Sequence, residues 1–151
     1  SKRDAVVLEK GPDGAWTAGQ HLLHLVKSTV PLANALAVPK MALWFRFGPH
    51  FGNSRDYASL VADYKWRIDE GGVATGAYVP REVKQEEKEE LLKRFLEAKD
   101  LLVKNLDRWP KGSLDKYQLP HPLLGKITVR EMLYFTIYHT QHHRKILEER
   151  Y

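Results

Sequence analysis

Residues 128–150 read TVREMLYFTIYHTQHHRKILEER. From Thr128 onward apolar residues recur at three- and four-residue steps, so the spacing predicts one amphipathic helix. Wound at about 100° per residue, it gathers Val129, Met132, Leu133, Phe135, Ile137, Ile146 and Leu147 on one broad arc. Arg130, Glu131, Tyr134, Gln141 and Lys145 fill the opposite arc. His139 and His143 fall inside the apolar arc, one turn apart, and His142 sits at its edge. A helix with so much apolar surface must pack against others, which sets the fold class.

Working back along the chain, the proline-containing loop LPHPLLGK precedes this helix. Before it, residues 81–108 predict the clearest helix, with a stripe of Leu92, Phe95, Leu96, Leu102, Val103, Leu106 and Trp109, ended by Pro110 and Gly112. GGVATGAYVP is a loop, since three glycines and a proline favour neither helix nor strand. Tyr57, Leu60, Val61, Tyr64 and Ile68 mark another amphipathic helix. KMALWFRFGPHFGNSR is aromatic and irregular, a short apolar turn or helix between loops. Thr17 is placed to cap a helix through AGQHLLHLVKS, which Pro31 kinks or ends depending on whether it resumes through LANALA. GPDG forms a turn after the mostly polar Ser1–Lys10 with its apolar patch Ala5–Leu8. No alternating β pattern of useful length and no repeat is present. The expectation is all-α, a single domain over residues 1–151, arranged as an antiparallel helical bundle.

Composition narrows the function. The 151 residues are 43% hydrophobic, too apolar for a disordered chain, and contain no cysteine. That excludes disulfides, thiolate metal sites and cysteine nucleophiles, and fits a reducing, cytoplasmic setting. Nothing resembles a signal peptide or a membrane span. Twenty-four basic against nineteen acidic residues leave a formal charge of +5, but the signs interleave, as in KQEEKEELLKR, so nucleic acid is not the expected partner.

The seven histidines are more informative, because five fall in two short windows. Imidazoles at i and i+4 point the same way, within reach of one metal ion. Burying His139 and His143 against apolar neighbours strands a donor and an acceptor on each ring unless a cation, or hydroxyls and water, take them up. A third ligand would come from the helix after Trp16. There Leu22, Leu25, Val26, Thr29 and Ala33 define the apolar arc; His21 flanks it closely, while His24 lies further round beside Ser28 and Lys27. Spacing alone favours His21 over His24.

The segment WTAGQHLLHL, residues 16–25, resembles the first motif of the DinB/YfiT-like superfamily, in which a tryptophan and a small hydroxyl residue precede a histidine by eight residues. HPLLGKITVREMLYFTIYHTQHHRKIL resembles the second, with an HP-x-x-G loop, a Thr-capped helix and histidines four apart. The tyrosine-containing helix and the loop GGVATGAYVP follow the family's order, so the resemblance spans most of the chain from Trp16 onward. It implies a four-helix bundle holding a divalent metal through three histidines, and imidazole donors suit zinc and nickel alike. Carried over by position, with Trp16 setting the register, the ligands are His24, His139 and His143. His21 and His142 become bystanders, and His121 part of the HP turn. The superfamily usually has a further long helix before the tryptophan motif. Either Ser1–Lys10 is the stub of that helix, or the segment after residue 55 or a partner chain completes the bundle.

Three neutral ligands leave an open coordination position, as catalytic sites do. Thr140 follows His139, so the HExxH general base of metallopeptidases is missing. Superfamily members include metal-dependent thiol S-transferases and suspected hydrolases, which implies an enzyme acting on a small molecule, such as a thiol, and working as a homodimer. No catalytic acid or base is assigned; Tyr134, Tyr138 and Gln141 lie off the core arc. Trp44, Phe45, Phe47 and Phe51 are read as core filling, a pocket roof or a dimer contact. The rival reading is a non-catalytic binding or dimerisation module with structural histidines.

Overall fold

The computed structural model describes residues 15–74 and 76–151. Among these described residues five α-helices dominate: α1 Ala18–Ala35, α2 Lys40–Phe47, α3 Tyr57–Asp69, α4 Lys88–Leu106 and α5 Val129–Arg150. The Ser1–Lys10 segment and the GPDG turn lie outside the described residues. Thr17 caps α1 with a reciprocal Thr17–Gln20 box, and the helix continues through Pro31 instead of ending there. Thr128 caps α5 in the same way with Glu131.

α1 lies beside α4 and α5, and α3 packs on α5. Leu23 meets Leu91, while near the other end of α1 the Ala33 and Leu36 carbonyls accept hydrogen bonds from Asn105 Nδ2 at 2.9 Å and Trp109 Nε1 at 3.0 Å. α1 and α4 therefore run parallel, and the two contacts satisfy carbonyls at the end of α1. His21 and His24 meet His143 and His139, so α5 runs antiparallel to α1. The antiparallel expectation holds for α1 and α5 but not for α1 and α4. The core joins Leu32, Ala33 and Leu36 to Leu102, Leu119 and Val129.

Three expectations change. Residues 118–128 form a two-stranded antiparallel hairpin, β1 Gln118–His121 and β2 Gly125–Thr128, where a loop was expected. Each strand is only four residues long and Pro120 interrupts any alternation, so the pairing leaves no periodic signature. The helix expected from Arg81 begins at Lys88, after a 3-10 turn over Gln85–Glu87. On α4 the buried seam is Leu91, Ala98, Leu102 and Asn105, whereas Leu92, Leu96 and Val103 are exposed. A helix packed along one main partner buries a narrow stripe, and those three residues fall just outside it. Ile137, at the edge of the predicted apolar arc, is also exposed. Among the described residues no single helix is long and apolar enough to cross a membrane.

Candidate metal centre

His24 lies on α1 and His139 and His143 lie on α5, and all three are buried. Their inward nitrogens converge, each within 4.8 Å of the others. His24 Nε2 is 2.9 Å from His139 Nε2, which is 3.1 Å from His143 Nε2. Two nitrogens bound to one first-row cation at 2.0–2.1 Å lie roughly 2.9–3.4 Å apart, so these spacings suit a shared ion.

Proton counting points the same way. His24 Nδ1 lies 2.7 Å from the Tyr78 carbonyl, which can only accept. Nδ1 therefore carries the proton, and the neutral ring turns its Nε2 lone pair inward. A proton on His139 Nε2 can be aimed at His24 or at His143, but not fully at both. Without that proton, two lone pairs face each other across the His24–His139 contact. No assignment of neutral rings gives both contacts a full hydrogen bond. Protonating a ring is no remedy: burial, then the neighbouring imidazoles, pushes His139 down to about 3 and His143 to about 2. Burial and, after it, Lys27 also lower His24 against the raising effect of the Tyr78 contact. Three inward lone pairs on uncharged rings are what a divalent cation accepts.

The remaining contacts hold these rings. Trp16 packs 4.9 Å from His24 and lies nearly parallel to His143 at 6.3 Å, while Phe135 stacks on His139 at 4.8 Å. The centre opens onto a cavity of about 190 Å³ between α1, α3, α5 and the hairpin turn. Tyr64, Ile68, Met132 and Phe135 supply its apolar wall.

Residues 3–147 match the family model of the DinB superfamily. The chain belongs to the DinB superfamily. No curated protein and no solved structure matches it.

Seen as a DinB-superfamily site, the arrangement separates the clustered histidines. His24, which spacing alone ranked second, enters the cluster; His21, which spacing favoured, instead places Nδ1 2.7 Å from His143 Nδ1, on the far side of that ring. His142 is exposed and stacks on Tyr138 at the rim. His121 ends β1 as a buried residue; its Nδ1 accepts from the backbone N–H groups of Leu123 and Leu124 at 3.0 and 3.1 Å, closing the HP turn beside the cavity. His50 lies apart, against the Asp115 carbonyl.

Tyr134 packs on Tyr57 and Tyr138 on Tyr64, and neither lines the cavity. Trp44, Phe45 and Phe51 are exposed and Phe47 packs against the core, so none of the four roofs the cavity. Glu131, expected on a polar face, is buried because it pairs with Arg55 and accepts from the Thr128 N–H at 2.8 Å. Sequence reasoning missed the Tyr78 carbonyl altogether. A backbone acceptor has no side-chain signature, and the only hint was the position of GGVATGAYVP in the family's order.

Proposed function

We propose that the protein is a metal-dependent enzyme in which His24, His139 and His143 hold one divalent cation, zinc or nickel, at the end of a small-molecule cavity. The observation that carries this reading is the set of three buried Nε2 atoms that neutral hydrogen bonding cannot satisfy. A divalent cation bound there lowers the pKa of a coordinated water or thiol and polarises a carbonyl. The chain's own residues do the rest. The Tyr78 carbonyl orients His24, Trp16 and Phe135 keep the ligand rings in place, and the apolar wall limits water around a bound substrate.

Among the described residues, no carboxylate lines the cavity, and the buried Glu131 is committed to Arg55 and the α5 cap. This favours thiol chemistry, in which a cation held by His24, His139 and His143 would itself acidify the thiol, over hydrolysis requiring a carboxylate base. The four-helix bundle of the superfamily corresponds in this reading to α1, α3, α4 and α5. It also has the chain working as a homodimer in the cytoplasm; Phe45 and Phe51, 75% and 86% exposed, are apolar surface that self-association would cover.

Elemental analysis of protein purified without added metal tests the centre. We expect near-stoichiometric zinc or nickel in the wild type and its loss in His139→Ala. Metal-free wild-type protein would leave the alternative, a non-catalytic helical module with structural histidines.

A further inference from the structure

His21 is buried on α1 one turn before His24, and its Nδ1 lies 2.7 Å from His143 Nδ1. Contact between these two nitrogens requires one to donate and the other to accept. If His143 is to turn a lone pair from Nε2 toward His139 and His24, its own proton must sit on Nδ1. That proton then points at His21, which has to present a lone pair there and carry its proton on Nε2. Among the described residues His21 Nε2 is buried with no hydrogen-bond partner.

A buried polar atom without a partner is costly, and a leucine or phenylalanine would fill the same space without that cost. Packing alone therefore does not explain the ring. Metal-bound histidines nearly always pass their second N–H to an acceptor, commonly a carboxylate or carbonyl, which fixes tautomer and ring orientation. The Tyr78 carbonyl does this for His24. The only acceptor in contact with His143 Nδ1 among the described residues is His21. Trp16 packs edge-on to the His21 ring at 5.5 Å and nearly parallel to His143, bracing the pair.

We propose that His21 is a positioning residue: its Nδ1 accepts the Nδ1 proton of His143 and so fixes the tautomer in which His143 offers its lone pair to the metal. This rests on the three-histidine centre proposed above. The neutral acceptor adds no charge to the site, so the bound cation keeps its full +2 with three uncharged ligands.

Zinc affinity, measured by competition with a chromophoric chelator, separates the two readings when wild type, His21→Leu and His21→Asn are compared. Leucine keeps the bulk and removes the acceptor; asparagine places its Oδ1 where Nδ1 stood. We expect His21→Leu to bind zinc roughly 10- to 100-fold more weakly and His21→Asn to recover most of that loss. Circular dichroism and thermal melts of the metal-free variants establish that each is folded. Imidazole ¹⁵N spectra of the zinc-loaded wild type supply a readout that needs no variant, with His21 expected as the Nε2–H tautomer. Unchanged affinity in His21→Leu, equal losses in both folded variants, or a proton on His21 Nδ1 in the loaded protein overturns the positioning role and leaves the metal centre standing. A wild type that binds no zinc overturns the centre, and this role with it.

Discussion

Burial holds His121 down to about 4, His139 to about 3 and His143 to about 2, all below the ordinary imidazole value. These rings stay neutral in the folded protein at pH values where the unfolded chain has already taken up protons. Their contribution to stability is therefore complete above about pH 6.5 and is lost as pH falls toward the folded values. His121 isolates the effect because it stands outside the three-histidine cluster, with burial as the main cause of its shift and Arg55 a lesser one. Its displacement corresponds to about 3 kcal/mol lost between pH 7 and pH 4. We expect the urea midpoint of the metal-free protein to fall steadily over that range, and His121→Asn, which retains an acceptor for the turn, to flatten the decline. A midpoint that does not change between pH 7 and pH 4.5 would contradict buried, neutral rings. At this scale the sequence is informative about two members of the histidine cluster and ambiguous about the third. His139 and His143 share a helix, so their spacing sets their common direction. His24 faces them across a helix–helix interface, which periodicity within one helix cannot orient; only the register from Trp16 distinguished it from His21.

The start of α5 is the joint on which the helix carrying His139 and His143 hangs. Thr128 is fully buried and its Oγ1 accepts from the Glu131 N–H at 3.1 Å while lying 2.7 Å from Ser54 Oγ. Glu131 returns the bond to the Thr128 N–H and pairs with Arg55, which also reaches Asp63 on α3 at 2.8 Å. One cap thus ties α5 to the segment leading into α3. Thr128→Ala is expected to cost about 1–2 kcal/mol in urea unfolding. Because it loosens the helix that carries His139 and His143, we also expect weaker zinc binding. Only half of this cap is legible: the family motif carries a Thr-capped helix, but the helical wheel puts Glu131 on the polar arc and gives no sign of its return bond to the Thr128 N–H. The hairpin just before it is not legible at all. Its pairing spans four residues a side and includes Pro120, so neither length nor alternation announces a strand. The exposed Leu92, Leu96 and Val103 misled for a related reason: a wide apolar stripe says that a helix has partners, not how much of the stripe each partner covers.

For the whole molecule, a metal that binds only the folded state shifts unfolding by mass action. At free zinc one hundred times the dissociation constant the gain is about 2.7 kcal/mol, which for a domain of this size raises the melting temperature by roughly 5–10 °C. We expect that rise when zinc is returned to chelator-stripped wild type and none in His139→Ala, monitored by calorimetry. His24 and His139 are 115 positions apart along the chain, whereas His139 and His143 are separated by four. Any stretch that winds into the last helix, native or not, presents a two-tooth claw to passing ions. The third tooth arrives only when more than a hundred residues of chain have closed into their final topology. Under the metal-centre proposal, tight retention of an ion therefore requires α1 and α5 to pair in register, so the off-rate of zinc reads out whether the long-range topology has closed.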